Sequence, residues 1–499
     1  MALVYAPGYG LSIRFFAPIL GLYKLHKSLK IQYFRHLSIK KYRFWLFFRF
    51  GIFCNFVNYF SHTDWKKICC MLQYSCYKFQ ISHKLLLQIN DRKTIFLYKT
   101  GFIFHKSQKK DDQTMQIYAP DYYKKFTCIA DKCSLTCCQE WKIAVDDDTY
   151  DRWRTVKPPA DMQLQHSALS EYTYDRDGQH IITLNDHQKC PFLQKNRLCR
   201  LVLTHGDSIL SETCTMFPRE KHDFSSHAEA SLMPGCPAVL DLWQTEPHIQ
   251  FPDITSLLPS DDSEALLFQI RDYILQRIQN TDSSLALALM ECFYLLSELP
   301  EQHQLSEVLL KDYFSTETLA QLSDAIQQME FSLEDMLYEC NELLQDLAVN
   351  YEKEGLYTRF LTPLLTLAAE ISEGTCDYDL TDSWKSFHVE LEKYEPLLRA
   401  FLANEMYSDL LLPEGNLDSM LIHMQWIGME YASIRYGLFL SWLNRGQTPL
   451  AYETVRETIA ILTRMTGYED DDIYEYLENS FESLYWEWGY FAMILADIK

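Results

Sequence analysis

Thr127–Trp141 reads TCIADKCSLTCCQEW, and the meaning of its cysteines decides what kind of fold can surround it. Cys128, Cys133, Cys137 and Cys138 lie here. Cys190, Cys199, Cys214 and Cys236 follow, so eight of the chain's 15 cysteines fall within 109 residues. Thiols at this density either pair as disulfides in an oxidising compartment or ligate a soft metal in a reducing one. Disulfide scaffolds are usually short chains with small cores, whereas 499 residues with 47% apolar content bury ample surface without bridges. The cluster therefore marks a metal or iron-sulfur site.

Its spacing narrows the choice. A zinc ribbon shows paired CxxC knuckles, and none occurs among these eight cysteines. Gaps of four and three residues lead to the adjacent pair Cys137-Cys138, and gaps of eight, 14 and 21 separate the later four. Iron-sulfur clusters accept such varied spacing, often one local run plus distant contributors. The CxxxCxxC run of radical enzymes is half present: Cys133 and Cys137 fit, but Glu140 stands where the third cysteine belongs. Eight thiols suffice for two four-ligand sites, or for one cluster with spare cysteines, and spacing does not choose between these.

Charge divides the chain near Met115. Residues 1–114 hold 19 Lys and Arg, four acidic residues and no glutamate, whereas the remainder holds 27 basic and 64 acidic residues. The first segment is crowded with Phe, Tyr, Leu, Ile and Lys without a sustained period, as translated non-coding AT-rich sequence would be. The expectation is a spurious or poorly ordered extension, with Met115 as the true start. If the segment is expressed, FWLFFRFGIFCNFVNYF (44–60) is its membrane candidate. At 17 residues it sits at the lower limit for a spanning helix, and Arg49 in its middle is costly in hydrocarbon. No small-residue cleavage site of a signal peptide follows it. The acidic body, net −37, argues against nucleic acid, because phosphate contact needs a basic surface.

The expected fold is mainly α, with a small irregular cysteine-rich metal-binding lobe carrying a few short strands (115–257), then an all-helical domain (258–499). Trp141, Ile143 and Val145 alternate as a half-buried strand ending at an acidic turn, Asp146 to Asp148, and His180 to Leu184 reads as a second strand. Beyond residue 258, apolar residues recur at three- and four-residue steps. Leu266, Leu267, Ile270, Ile274 and Ile278 define one helix, and Asp282 or Ser283 caps a next one running to Leu299. The same periodicity marks 317–350, 356–372, 384–406, 417–443 and 449–465. The aromatic stripe Trp426, Tyr431, Tyr436, Phe439 and Trp442 reads as core packing. The acidic run Glu469 to Asp472 reads as a solvated face. Neither GxGxxG nor GxxxxGK[ST] occurs, so dinucleotide and phosphate-loop folds are unsupported.

Four blocks carry a resemblance: PDYYKKFTCIADKCSLTCCQEW (120–141), KCPFLQKNRLCR (189–200), SETCTMFPRE (211–220) and GCPAVLDLW (235–243). In this order they resemble the flagellin lysine-N-methylase family, FliB. The resemblance implies methyl transfer from S-adenosylmethionine to lysine side chains of flagellin, in the cytoplasm. It also implies a 4Fe-4S cluster, zinc being the alternative, held by Cys128, Cys133, Cys137, Cys138, Cys190, Cys199, Cys214 and Cys236. It names no catalytic base. A lysine amine, with pKa about 10.4 in water, must lose its proton first, which calls for a buried or carboxylate-lined pocket. Glu140, Asp146, Tyr122 and Tyr123 are the candidates near the motif, and Arg219 is a candidate partner for a substrate carboxylate. The competing reading is a non-catalytic zinc- or iron-binding protein whose helical domain docks a partner.

Overall fold

The computed structural model describes residues 115–176, 178–258, 263–301, 305–467, 473–477 and 488–496. These belong to one compact unit, Met115–Lys499. The basic segment with its apolar run 44–60, and the acidic run 469–472, lie outside the described residues.

Six short strands make two three-stranded sheets among the described residues: β1 (Ile117–Tyr118), β2 (Ala144–Val145), β3 (Thr173–Arg176), β4 (Gln179–Ile182), β5 (Arg219–Asp223) and β6 (Ala228–Leu232). In one sheet, β4 pairs antiparallel with both β2 and β3. In the other, β6 lies between β1, which is parallel to it, and β5, which is antiparallel. The expected strand from Trp141 is real but shorter. Ile143 and Val145 are buried, whereas Trp141 turns away to meet Phe217 edge-on at 4.5 Å. The expected acidic turn is instead a helix start. Asp146 accepts from the Thr149 N–H and caps α1 (Asp147–Trp153), whose Trp153 fills a small core with Ile143, Ile182 and Phe192. Cys190 is part of this core, and Cys138 and Cys199 pack against it.

The lobe adds α2 (Arg200–His205), α3 (Glu212–Met216) and α4 (Pro237–Thr245). The helical half continues with α5 (Ser263–Gln279), α6 (Leu285–Glu298), α7 (Glu307–Tyr313), α8 (Thr316–Gln327) and α9 (Leu333–Lys353). It ends with α10 (Thr358–Glu373), α11 (Leu380–Leu391), α12 (Glu395–Ser408), α13 (Leu417–Asn444), α14 (Tyr452–Thr466) and α15 (Trp488–Leu495). Three boundaries differ from periodicity alone. Ser284, not Asp282 or Ser283, caps α6. The 317–350 stretch is two helices, because Ser332 starts a new one by accepting from Asp335 N–H. The 384–406 stretch also divides, at a single 3-10 turn before Pro396, where proline suits the first turn of the following helix.

The centre of the helical half is α13, 28 residues long and buried on nearly every face. Asn416 and Ser419 form a reciprocal capping box at its start. Helices α6, α9, α10, α14 and α15 pack around it. The aromatic stripe is core, as its spacing indicates: Trp426, Tyr431, Tyr436, Phe439 and Trp442 are all buried. α12 contacts β6, α4, α5 and α13, so it joins the sheet of the lobe to the helical core. Among the described residues no helix is long and apolar enough to cross a membrane.

Candidate functional site

The eight cysteines come from loops and short elements, not from one helix. Cys128 and Cys133 flank a single 3-10 turn, and Cys137 and Cys138 follow a loop. Cys190 begins a turn, Cys199 and Cys236 are the residues just before α2 and α4, and Cys214 lies on α3. All eight are free thiols. They also lie within electrostatic reach of one another. Cys133 is influenced by Cys137 and Cys128; Cys137 by Cys138; Cys190 by Cys214, Cys199 and Cys137; and Cys236 by Cys133 and Cys137. Cys137 is thus the hub. Desolvation pushes the Cys214 thiol up to about 11 and the Cys236 thiol up to about 12, and burial also raises Cys190. For Cys137 the adjacent Cys138 is the largest cause, with burial second. Such thiols are neutral at physiological pH unless a bound cation displaces their protons.

Arg464, reaching in from α14, secures this loop cluster. It is buried, donates from Nε to the Gly235 carbonyl at 2.7 Å and from Nη2 to the Leu135 carbonyl at 3.1 Å, and lies over the Trp141 ring. Its charge lowers the pKa of both Cys133 and Cys137, opposing part of their burial. The donor set therefore fits a thiolate-bound group: free sulfurs from four separate segments around one hub, with a fixed cation beside them.

The four candidate bases have separate fates. Asp146 caps α1 and also accepts from Glu212 N–H at 2.8 Å, so it ties two helix starts together. Tyr123 lies on a 3-10 turn without a buried residue. Tyr122 is buried and donates its hydroxyl to Asn404 Oδ1. Glu140, two residues past Cys138, faces Tyr357, Lys189, Arg359 and Arg464. Its backbone is left-handed, φ 55°, a conformation that disfavours a residue with a side chain. Desolvation raises its carboxyl pKa, with Lys189, Arg359 and Arg464 partly opposing the shift. Arg219 lies over the Phe126 ring at 5.1 Å.

The sequence reading missed a second constellation, beside the β5–β6 ladder. Glu220, His222 and Asp409 each bring one ligand atom within 4.8 Å of the others. Glu220 and His222 share one face of β5 by two-residue alternation, and Asp409 is the residue that ends α12. Glu405 and Glu430 lie close by and are buried. Desolvation, with repulsion from Asp409, moves Glu220 up to about 8; desolvation moves Glu430 up to about 7. The only sequence signal was the alternation Glu220-Lys221-His222, too common to single out; its partners lie nearly 200 residues on.

Residues 271–494 match a family model described as the FliB lysine N-methylase C-terminal domain. A flagellar biosynthetic protein FliU of Salmonella muenchen is 31% identical over 121 residues, 24% of this chain and 72% of that protein. The chain belongs to the FliB family. Lysine-N-methylases of Salmonella choleraesuis and Salmonella typhimurium are 28% and 27% identical over 158 residues, which is 31% of this chain. The match spans only 39% of the length of each of those two relatives. No solved structure matches the chain.

Proposed function

We propose that this FliB-family chain is a protein-lysine N-methyltransferase that takes its methyl group from S-adenosylmethionine, acts on flagellin and carries a cysteine-held 4Fe-4S cluster. The observation that carries the reading is that Cys133, Cys138, Cys190, Cys214 and Cys236 all lie within electrostatic reach of Cys137, with eight free cysteines in one lobe of a chain related to lysine-N-methylases. Among the described residues no three cysteine sulfurs approach within 4.8 Å of one another. When bound, the cluster would supply an iron site able to hold the amino-acid end of S-adenosylmethionine or to support one-electron chemistry.

The residues of the chain set up the rest. Cys133, Cys137, Cys190 and their neighbours would ligate, and Arg464 would hold the 133–137 loop against α14 while compensating thiolate charge. Glu140, partly desolvated and sharing Arg464 with Cys133 and Cys137, is the base in this reading: its carboxylate would take the proton from a lysine Nζ, freeing the nitrogen lone pair. The absence of a nucleotide-binding glycine motif leaves the cysteine lobe as the neighbourhood for S-adenosylmethionine. The test is anaerobic. Iron-loaded full-length protein, given labelled S-adenosylmethionine and flagellin, is expected to yield methyl-lysine on flagellin, and Glu140→Gln is expected to slow this by about 100-fold with iron content unchanged. No label on flagellin from fully loaded protein refutes the reading.

A further inference from the structure

We infer that the half-buried side-chain cluster where β5 meets the end of α12 is a second metal site, separate from the cysteines, in which Glu220, His222 and Asp409 bind one hard divalent cation of the Mn2+ or Fe2+ type.

Geometry comes first. His222 Nε2 lies 3.9 Å from Glu220 Oε1, and the three ligand atoms are within 4.8 Å of one another. Donors 2.0 to 2.2 Å from an ion sit roughly 3 to 4 Å apart, so sub-ångström side-chain shifts close the set. His222 Nε2 is itself buried and makes no hydrogen bond. That unpartnered nitrogen points to a missing ligand. Ser231 faces Glu220 across the ladder, is 1% exposed and sets its hydroxyl beside the Glu220 carboxyl.

Charge gives the reason for a cation. Glu405, which accepts from Asn404, and Glu430, which accepts from Thr466, both interact with Asp409, so four carboxyl groups share one desolvated space. The basic side chains that bear most on Asp409 are His222 and His423, both neutral when unprotonated. Arg271, the guanidinium that acts on His222, is already engaged in a two-point pair with Glu229 at 2.6 Å. Gathering carboxylates without a fixed cation is unfavourable unless protons or a metal neutralise them. Imidazole with carboxylate oxygen suits manganese or iron, whereas the soft cysteine site suits zinc, copper and iron-sulfur groups. The two donor sets therefore differ in hardness.

Mn2+ alone is the probe, titrated into the full-length protein and followed by electron paramagnetic resonance. The expected result is one Mn2+ per chain, with nitrogen hyperfine modulation from imidazole, and the same stoichiometry in Cys137→Ser. Asp409→Asn and His222→Ala are expected to weaken binding at least tenfold, and Mn2+ should raise the unfolding midpoint of wild type but not of Asp409→Asn. The nitrogen signal in wild type needs no variant, so a poorly folding mutant does not spoil the test. Absence of stoichiometric Mn2+, Mn2+ without nitrogen modulation, or loss of binding in Cys137→Ser would each overturn the site. So would failure to bind Mn2+ together with protection of the pocket by an amine-bearing lysine peptide, which would assign these carboxyls to an acceptor ammonium.

Discussion

At the residue scale, the buried pair Glu229–Arg271 shows how the lobe's second sheet is fastened. Arg271 on α5 donates both terminal nitrogens to Glu229 on β6 and one of them also to the Tyr407 carbonyl. Burial alone would raise the Glu229 pKa, but the Arg271 charge and its hydrogen bonds more than offset this and leave the carboxyl below its ordinary value. Arg271→Met leaves an unpaired buried carboxylate and is expected to cost about 3 to 5 kcal/mol in chemical denaturation at neutral pH. The pH dependence has a definite sign. A carboxyl whose folded pKa is depressed adds stability above its unfolded value, near 4.5, and loses it as pH falls through the lower folded value. Wild type should therefore lose this contribution below about pH 4.5, and Glu229→Gln should show a flatter profile over the same acid range. Neither residue was legible as a pair in the sequence, since they lie 42 positions apart in elements with no local reason to meet.

At the scale of elements, α13 and α14 explain why helices were legible and their meeting points were not. The apolar steps in 417–443 exposed α13, because a helix needs a buried stripe whatever it packs against. They did not reveal Gly428, where a β-carbon would come within 2.1 Å of the Phe491 ring of α15. Gly428→Ala is expected to destabilise by roughly 1 to 3 kcal/mol through overpacking, measurable as a lowered thermal midpoint. Arg464 was hidden for a similar reason. It is one arginine in an amphipathic helix until the fold places it against the Leu135, Thr136 and Gly235 carbonyls. Arg464→Met is expected to keep the helical circular dichroism and to reduce iron loading several-fold, because the 133–137 loop loses its anchor. Full loading in that variant would limit Arg464 to a packing role. In the lobe, by contrast, α1 was missed because Asp146 to Asp148 has the composition of a turn, and only the Asp146 cap makes it a helix start.

At the scale of the whole molecule, the mainly helical fold and the cysteine cluster were both written plainly in the sequence. Periodicity specifies helices locally, and eight cysteines in a chain with ample core require a chemical explanation. The second constellation was not legible, because Glu220, His222 and Asp409 converge only after β5 and α12 have packed through β6. The cysteine centre and this carboxylate cluster both lie where the lobe meets the helical half, the first beside α14 and the second beside α12 and α13. The central claim is that the converging thiols hold one iron-sulfur cluster with Cys137 at its hub. Iron and acid-labile sulfide, measured anaerobically on the reconstituted full-length protein and on Cys137→Ser, test it most directly. The account predicts about four irons and four sulfides per wild-type chain and a loss of most of both in the variant. Equal iron and sulfide in the two proteins, or zinc without sulfide in wild type, would contradict it.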